Sequence, residues 1–362
     1  MIRVLLVVAY LTLLQATPGD RGVISTELLT PTILYEEALD ARGLTELAQL
    51  HAERYFVIYQ NDADPDAQKS GVINASKVAH YVANSQGDAV KGWGVLDFEN
   101  PFDSWIQMDP KSERTQSAVK SMVETIRVMK RAFPGVRWTY YGMPGLLYYL
   151  SDIDWSKASS EAKDIEIQRQ LAAYGPVMAE CDWLAPCVYY TVGDGKRGKV
   201  PPLEVRAATR AWVAARTAMC VRFAKSLGRK LPVIPFASPL FMDGGGARVF
   251  SPIPSGILEE DILGPVAQSG AAGVCIWTGA TNFIGIATGA RPGDTMMEGG
   301  GKSGLVKTWA EDLGVQPADL QGESGRIKLV RWISQAQVAM AKSASRTWKA
   351  PPKPTPVVDS PK

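Results

Sequence analysis

The chain has 362 residues, of which 46% are apolar and 21% charged. This is a globular balance and excludes wholesale disorder or a fibrous repeat. Lysine and arginine total 39 against 37 acidic residues, a net charge of +2, which excludes a nucleic-acid binder that relies on overall positive charge.

Residues 1–19 have the layout of a secretory signal peptide: Arg3 at the charged end, an apolar run over 4–14, then Ala16, Thr17 and Pro18. The run is too short to span a bilayer comfortably. Leu14 stands where a small residue is preferred for cleavage after Ala16, and a buried strand or an uncleaved anchor is the alternative. The expectation is an exported protein, secreted or held in the periplasm or cell envelope. No later stretch reaches the ~18 uninterrupted apolar residues of a membrane helix.

Residues 20–50 read as an irregular lead-in, with a helical piece at 43–53. Residues 54–59 (RYFVIY) predict a strand, 61–70 a turn region, and 74–84 a helix. Asn74-Ala75-Ser76 is a glycosylation sequon. Residues 94–98 (GVLDF) predict a second strand. In 115–133, Ala118, Met122, Ile126 and Met129 make a helical stripe that Pro134-Gly135 ends. A third strand follows at 136–141 and a helix at 161–173. Strands are expected at 183–190, 231–236 and 272–277, and helices at 203–227, 257–268 and 326–342. Strands that alternate with helices and read as continuous apolar runs predict a parallel sheet covered on both faces. With no break in composition, the fold class expected is α/β, a TIM-like (β/α) barrel forming one catalytic domain over 20–345. Residues 285–304 read as a Gly- and Met-rich loop, and 346–362 as a proline-rich disordered tail.

Residues 299–303 (GGGKS) imitate the end of a phosphate-binding loop, but the glycine that pattern needs is Met296. The only histidines are His51 and His80, and Cys181, Cys187, Cys220 and Cys275 match no zinc spacing. No metal or cofactor is expected. The cysteines read as buried thiols, with a Cys181–Cys187 bridge as the alternative.

The chemistry sits in residues 92–105, GWGVLDFENPFDSW. Alternate residues of a strand share a face, so Asp97 and Glu99 point the same way, with Cβ atoms roughly 6–7 Å apart. In a parallel barrel that end of the strand opens onto the active-site mouth. Two close carboxylates cannot both ionise easily, and a protonated acid beside an ionised one suits glycosidic bond cleavage. The plainer alternative is a carboxylate pair capping backbone amides. A second Asp-x-Glu, Asp164-Ile165-Glu166, lies in a charged helical stretch and reads as a solvated face. Aromatic residues gather at other strand ends: Trp138, Tyr140 and Tyr141, then Tyr189 and Tyr190, then Trp277. Flat rings with polar edges are a common way to hold sugar faces.

The order of these segments resembles the hyaluronidases of the animal and venom type, glycoside hydrolase family 56. VLDFENPFDSW is similar to their catalytic strand, with Phe98 in place of the middle tryptophan and Trp105 at the following one. Residues 138–144 (WTYYGMP), 183–190 (WLAPCVYY), 231–243 (LPVIPFASPLFMD) and 270–277 (GAAGVCIW) resemble successive family strands, and 71–81 (GVINASKVAHY) a family helix start. The resemblance implies Glu99 as proton donor and Asp97 as the carboxylate that orients the substrate's acetamido group. It implies Tyr189 beside that group and Trp277 in its pocket, with Tyr141, Phe236 and Trp105 as further substrate contacts. The substrate's own acetamido oxygen would attack the anomeric carbon, so the product would retain configuration without a protein nucleophile. The implied partner is a hyaluronan- or chondroitin-like polymer or another N-acetylated glycan, bound by a monomer. Two departures stand out: Phe236 lacks the hydroxyl of the family tyrosine it matches, and the family's framework cysteines have no counterparts. A polyanion would call for a basic groove, to which Arg137 and residues 196–199 are the candidates. A carbohydrate-binding barrel without turnover, or a glycosidase of different specificity and mechanism, are the alternatives.

Overall fold

The computed structural model describes residues 31–36, 40–102, 105, 109–144, 157–190, 201–241, 251–279, 284 and 301–349. The predicted signal peptide, the basic run at 196–199, residues 285–300 and the tail from 350 lie outside them.

In chain order the elements are β1 (Thr32–Tyr35), α1 (Ala41–Gln49), β2 (Glu53–Tyr59), the short α2 (Gln60–Ala63) and α3 (Ala67–Ser70), α4 (Ala75–Gln86) and β3 (Gly92–Asp97). Then come α5 (Glu113–Ala132), β4 (Val136–Tyr140), α6 (Ser160–Met178), α7 (Leu203–Ser226) and β5 (Phe236–Ala237). A nearly continuous helical stretch follows: α8 (Ser255–Leu258), a π-turn (Glu259–Leu263) and α9 (Gly264–Gln268). β6 (Gly273–Ile276), α10 (Gly301–Leu313) and α11 (Gly322–Lys349) complete the order. Side chains stop the fraying of several helix starts: Asn74, Ser112 and Ser159 each accept a backbone N–H of the first turn.

The six strands form one parallel sheet in the order β4-β3-β2-β1-β6-β5. The sheet is curled, and the period-two alternation of its strands shows around what. Leu34, Tyr55, Trp93, Val95, Phe236 and Cys275 turn inward into one cluster with Trp183 and Ile234. Their strand neighbours face the helices. Phe56, Ile58, Leu96, Trp138 and Tyr140 pack with α4, α5, α6 and α7, and Ile33, Ala237, Val274 and Ile276 pack with α8, α9 and α11. A strand buried on both faces reads as an unbroken apolar run, which is why these strands were legible.

The open side of the sheet, between β4 and β5, holds residues 183–190. These do not form the expected strand. They make isolated parallel bridges instead, Gly142 with Pro186, Leu184 with Val233 and Cys187 with Phe236. Prolines explain the interruption. Pro186, Pro232 and Pro235 have no N–H for a ladder, so the expected strand at 231–236 also shrinks to β5 and a bridge at Val233.

Other expectations shift as well. The lead-in contains β1, and α10 starts at Gly301, inside the span read as a loop. Helix α11 runs to Lys349, four residues into the span read as tail. All four cysteines are free thiols, so the Cys181–Cys187 bridge is absent. Glu166 is not on a solvated face: it is 4% exposed and accepts hydrogen bonds from Arg169 and Gln170.

Candidate functional site

In a parallel sheet every strand ends at the same side, and here that side collects the ionisable and aromatic groups. β3 ends at Asp97, paired in register with Tyr59 at the end of β2. Tyr59 continues the inward series of Tyr55, and Asp97 that of Trp93 and Val95, so both point to the inner face of the curl. Glu99 follows two residues on, past Phe98. Phe98 is buried against Phe102 on the helix side, so the departure at this position falls in the outer core, away from the carboxylates.

Glu99 is exposed to solvent, and the surrounding protein still raises its pKa through desolvation. Its charge acts on Tyr141 and on the thiol of Cys187, and the charge of Asp97 acts on Tyr59 and Tyr141. Both carboxylates therefore lie near enough to Tyr141 to act on it. Burial is the main cause that lifts the hydroxyls of Tyr59, Tyr141 and Tyr189 above the usual phenol range and pushes the Cys187 thiol up to about 11. Each is a neutral hydrogen-bonding group at physiological pH rather than a nucleophile.

Beside these groups three half-buried rings, Tyr141, Tyr189 and Trp277, stand together. The Tyr141 and Tyr189 hydroxyls lie 3.0 Å apart. Tyr189 and Trp277 are tilted to each other, with centroids 5.3 Å apart and planes at 33°. Tyr141 is 6.5 Å from Trp277. The structure thus brings together Asp97 and Glu99 at the end of β3, Tyr141 just after β4, Tyr189 in the bridged segment 183–190 and Trp277 just after β6.

It does not bring the other two expected residues to that group. Phe236 is completely buried one layer down, among Tyr55, Tyr141 and Trp183. It forms a floor beneath Tyr141. Trp105 packs against the outer cluster, above Gly71, with the Arg114 guanidinium 5.7 Å from its ring. Arg137 sits at the start of β4, its guanidinium 4.5 Å over Trp93, and so lies at the opposite end of the sheet from the carboxylates. His51 and His80 are exposed elsewhere, His80 bonded to Asn84. Among the described residues no group of acidic, histidine or cysteine side chains is arranged to hold a metal, and no helix is long and apolar enough to cross a membrane.

One residue of the site was missed from sequence. Glu36 follows β1 and is 7% exposed. Its carboxyl accepts the backbone N–H groups of Thr278 and Gly279 and the hydroxyl of Tyr59, at 3.5 Å. Burial pushes its pKa up to about 7. The available signal was the short apolar run at 32–35 ending in two acids, the same strand-then-carboxylate pattern as in β3.

No family model matches the chain, and no curated protein matches it. Among solved structures, the monoclinic crystal form of bee venom hyaluronidase is similar at 15% identity and a TM-score of 0.47, covering 70% of this chain and 92% of that one. Bee venom hyaluronidase in complex with a hyaluronic acid tetramer is similar at 15% identity and a TM-score of 0.46, over 68% of this chain and 90% of that one.

Proposed function

We propose that the protein is an exported glycosidase that cleaves beside an N-acetylhexosamine, with Glu99 as proton donor and retention of configuration. The observation that carries this reading is the position of Glu99, a carboxyl with raised proton affinity two residues beyond Asp97, close enough for both charges to act on Tyr141 of the Tyr141–Tyr189–Trp277 ring group. In this reading the rings hold the sugar face and Asp97 accepts the acetamido N–H. Glu99 gives its proton to the glycosidic oxygen as the C–O bond breaks. The acetamido carbonyl oxygen closes on the anomeric carbon. Water then opens that ring, losing its proton to Glu99, and the two displacements together retain configuration. No step needs a histidine, in keeping with the placement of His51 and His80.

The same reading takes the fold as a closed barrel, with residues 183–190 between β4 and β5, supported by the three bridges across that gap. Export rests on residues 1–19. Arg137 lies at the far end of the sheet from the carboxylates, so it does not supply the basic groove a polyanion would call for.

The test is to incubate the purified protein with hyaluronan, chondroitin, chitin oligomers and peptidoglycan, and to follow new reducing ends alongside binding isotherms. Release from one polymer supports the reading and names the substrate. Binding without release from any of them contradicts it and leaves a sugar-binding barrel.

A further inference from the structure

Glu36 is a third carboxyl at the site, and nothing in the reaction scheme above uses it. Its surroundings tie two strand ends together. The Trp277 indole N–H donates to the Tyr59 hydroxyl, and Tyr59 donates in turn to Glu36. The Thr278 and Gly279 backbone N–H groups close on the same carboxyl and so fix the chain just after Trp277. The register brings this about: Tyr35 pairs with Ile276, which sets Glu36 beside the residues following β6, while Tyr59 pairs with Asp97 on the other side. The second oxygen, Oε2, is buried and has no hydrogen-bond partner. A fixed charge there would cost more than a neutral, protonated oxygen.

We propose that Glu36 is a positioning residue of the proposed glycosidase site, one that works through Tyr59: its charge state decides whether Tyr59 stands beside one carboxylate, Asp97, or between two. The titratable groups facing Glu36 from the described elements are Tyr55 and Tyr59 on β2 and Cys275 on β6, with Asp97 on β3 beyond Tyr59. Among the described residues no lysine or arginine forms an ion pair with it. With Glu36 neutral, no second charge acts on Tyr59 from that side, and Asp97 keeps its charge for the substrate N–H. Ionised Glu36 holds the Tyr59 proton and sets a second negative charge across Tyr59 from Asp97, which in this proposal raises the proton affinity of Asp97 and weakens its grip on the acetamido group.

This inference rests on the proposed function for its catalytic consequence but not for its physical core, so the test has two arms. In the first, the full chain carries carbon-13 at its Asp and Glu carboxyl carbons and is titrated by NMR, with Asp97→Asn and Glu36→Gln giving the assignments. The expected result is an Asp97 signal with an extra inflection near pH 7, where Glu36 titrates. That inflection is lost in Glu36→Gln and reduced in Tyr59→Phe, which keeps the Glu36 carboxyl in case the glutamine variant does not fold. In the second arm, kcat/KM for the polymer cleaved falls as pH rises through 7, and the fall is at least roughly threefold smaller in Glu36→Gln. An Asp97 signal without the extra inflection in the wild type, or a pH profile of Glu36→Gln that overlays the wild type, overturns the proposal. If no glycan is cleaved, the proposed function fails on its own and the NMR arm still decides the coupling.

Discussion

The hydroxyls of Tyr141 and Tyr189 face each other at 3.0 Å, although the two residues are 48 positions apart in sequence. Either can donate, so one proton of the pair remains available for a sugar oxygen. Tyr189→Phe removes that hydroxyl and leaves the ring against Trp277. The expected loss in kcat/KM is about 10–100-fold, the value of one hydrogen bond of ~1.4–2.7 kcal/mol. The circular dichroism spectrum should be unchanged. Full activity would remove Tyr189 from substrate binding.

The proximity of Glu36 to Trp277 depends on the close approach of β1 and β6. A Cβ on Gly273 would lie 1.9 Å from the Thr32 carbonyl oxygen and 2.7 Å from its carbon. Both obstacles are backbone and cannot turn aside. Gly273→Ala should therefore lower stability by at least about 3 kcal/mol or prevent folding. A variant that unfolds at the wild-type urea midpoint would mean the two strands can separate at no cost.

The buried Glu36 also makes stability depend on pH. Its folded pKa, about 7, lies above the ordinary value of 4.5. A raised pKa means that its contribution is fully present below the unfolded value and is lost as pH rises through the folded one. Stability should therefore fall between about pH 4.5 and 7 by up to ~3 kcal/mol. Urea midpoints at pH 5 and pH 8 measure this, and Glu36→Gln should flatten the difference. An equal pH dependence in the variant would assign the effect to other groups.

If the acetamido group of the substrate is the nucleophile, the first product formed must keep the configuration of the bond cleaved. Proton NMR of the anomeric signals, recorded before mutarotation, reads this directly. An inverted first product would show direct attack by water and rule out the assisted route.

Much of the fold was legible because strands buried on both faces must be apolar without a break, as in β2, β3 and β4, and because helices such as α5 carry a regular apolar stripe under a capping serine. The carboxylates of the candidate site were legible for a related reason: Asp97 ends an apolar strand, where acids are expensive, and Glu99 follows two residues on. Residues 183–190 were harder to read, since their prolines remove the donors a ladder needs without altering the apolar pattern. Trp105 and Phe236 show a different limit. Position along a strand or loop does not reveal which layer a ring occupies, and both rings pack against neighbours distant in sequence. Glu36 was hidden because β1 has only four residues, too few for a periodic signal, and its partners arrive from β2 and from beyond β6.

The measurement that bears most directly on Glu99 as proton donor is the rate of reducing-end release by Glu99→Gln beside the wild type, on the polymer the wild type cleaves. Glutamine keeps the shape and removes the transferable proton. The expected result is a loss of about 10²–10⁴-fold in kcat, the ordinary worth of general acid catalysis, with binding of the polymer retained. Equal rates for the two proteins would contradict the assignment and require another acid at the mouth of the sheet.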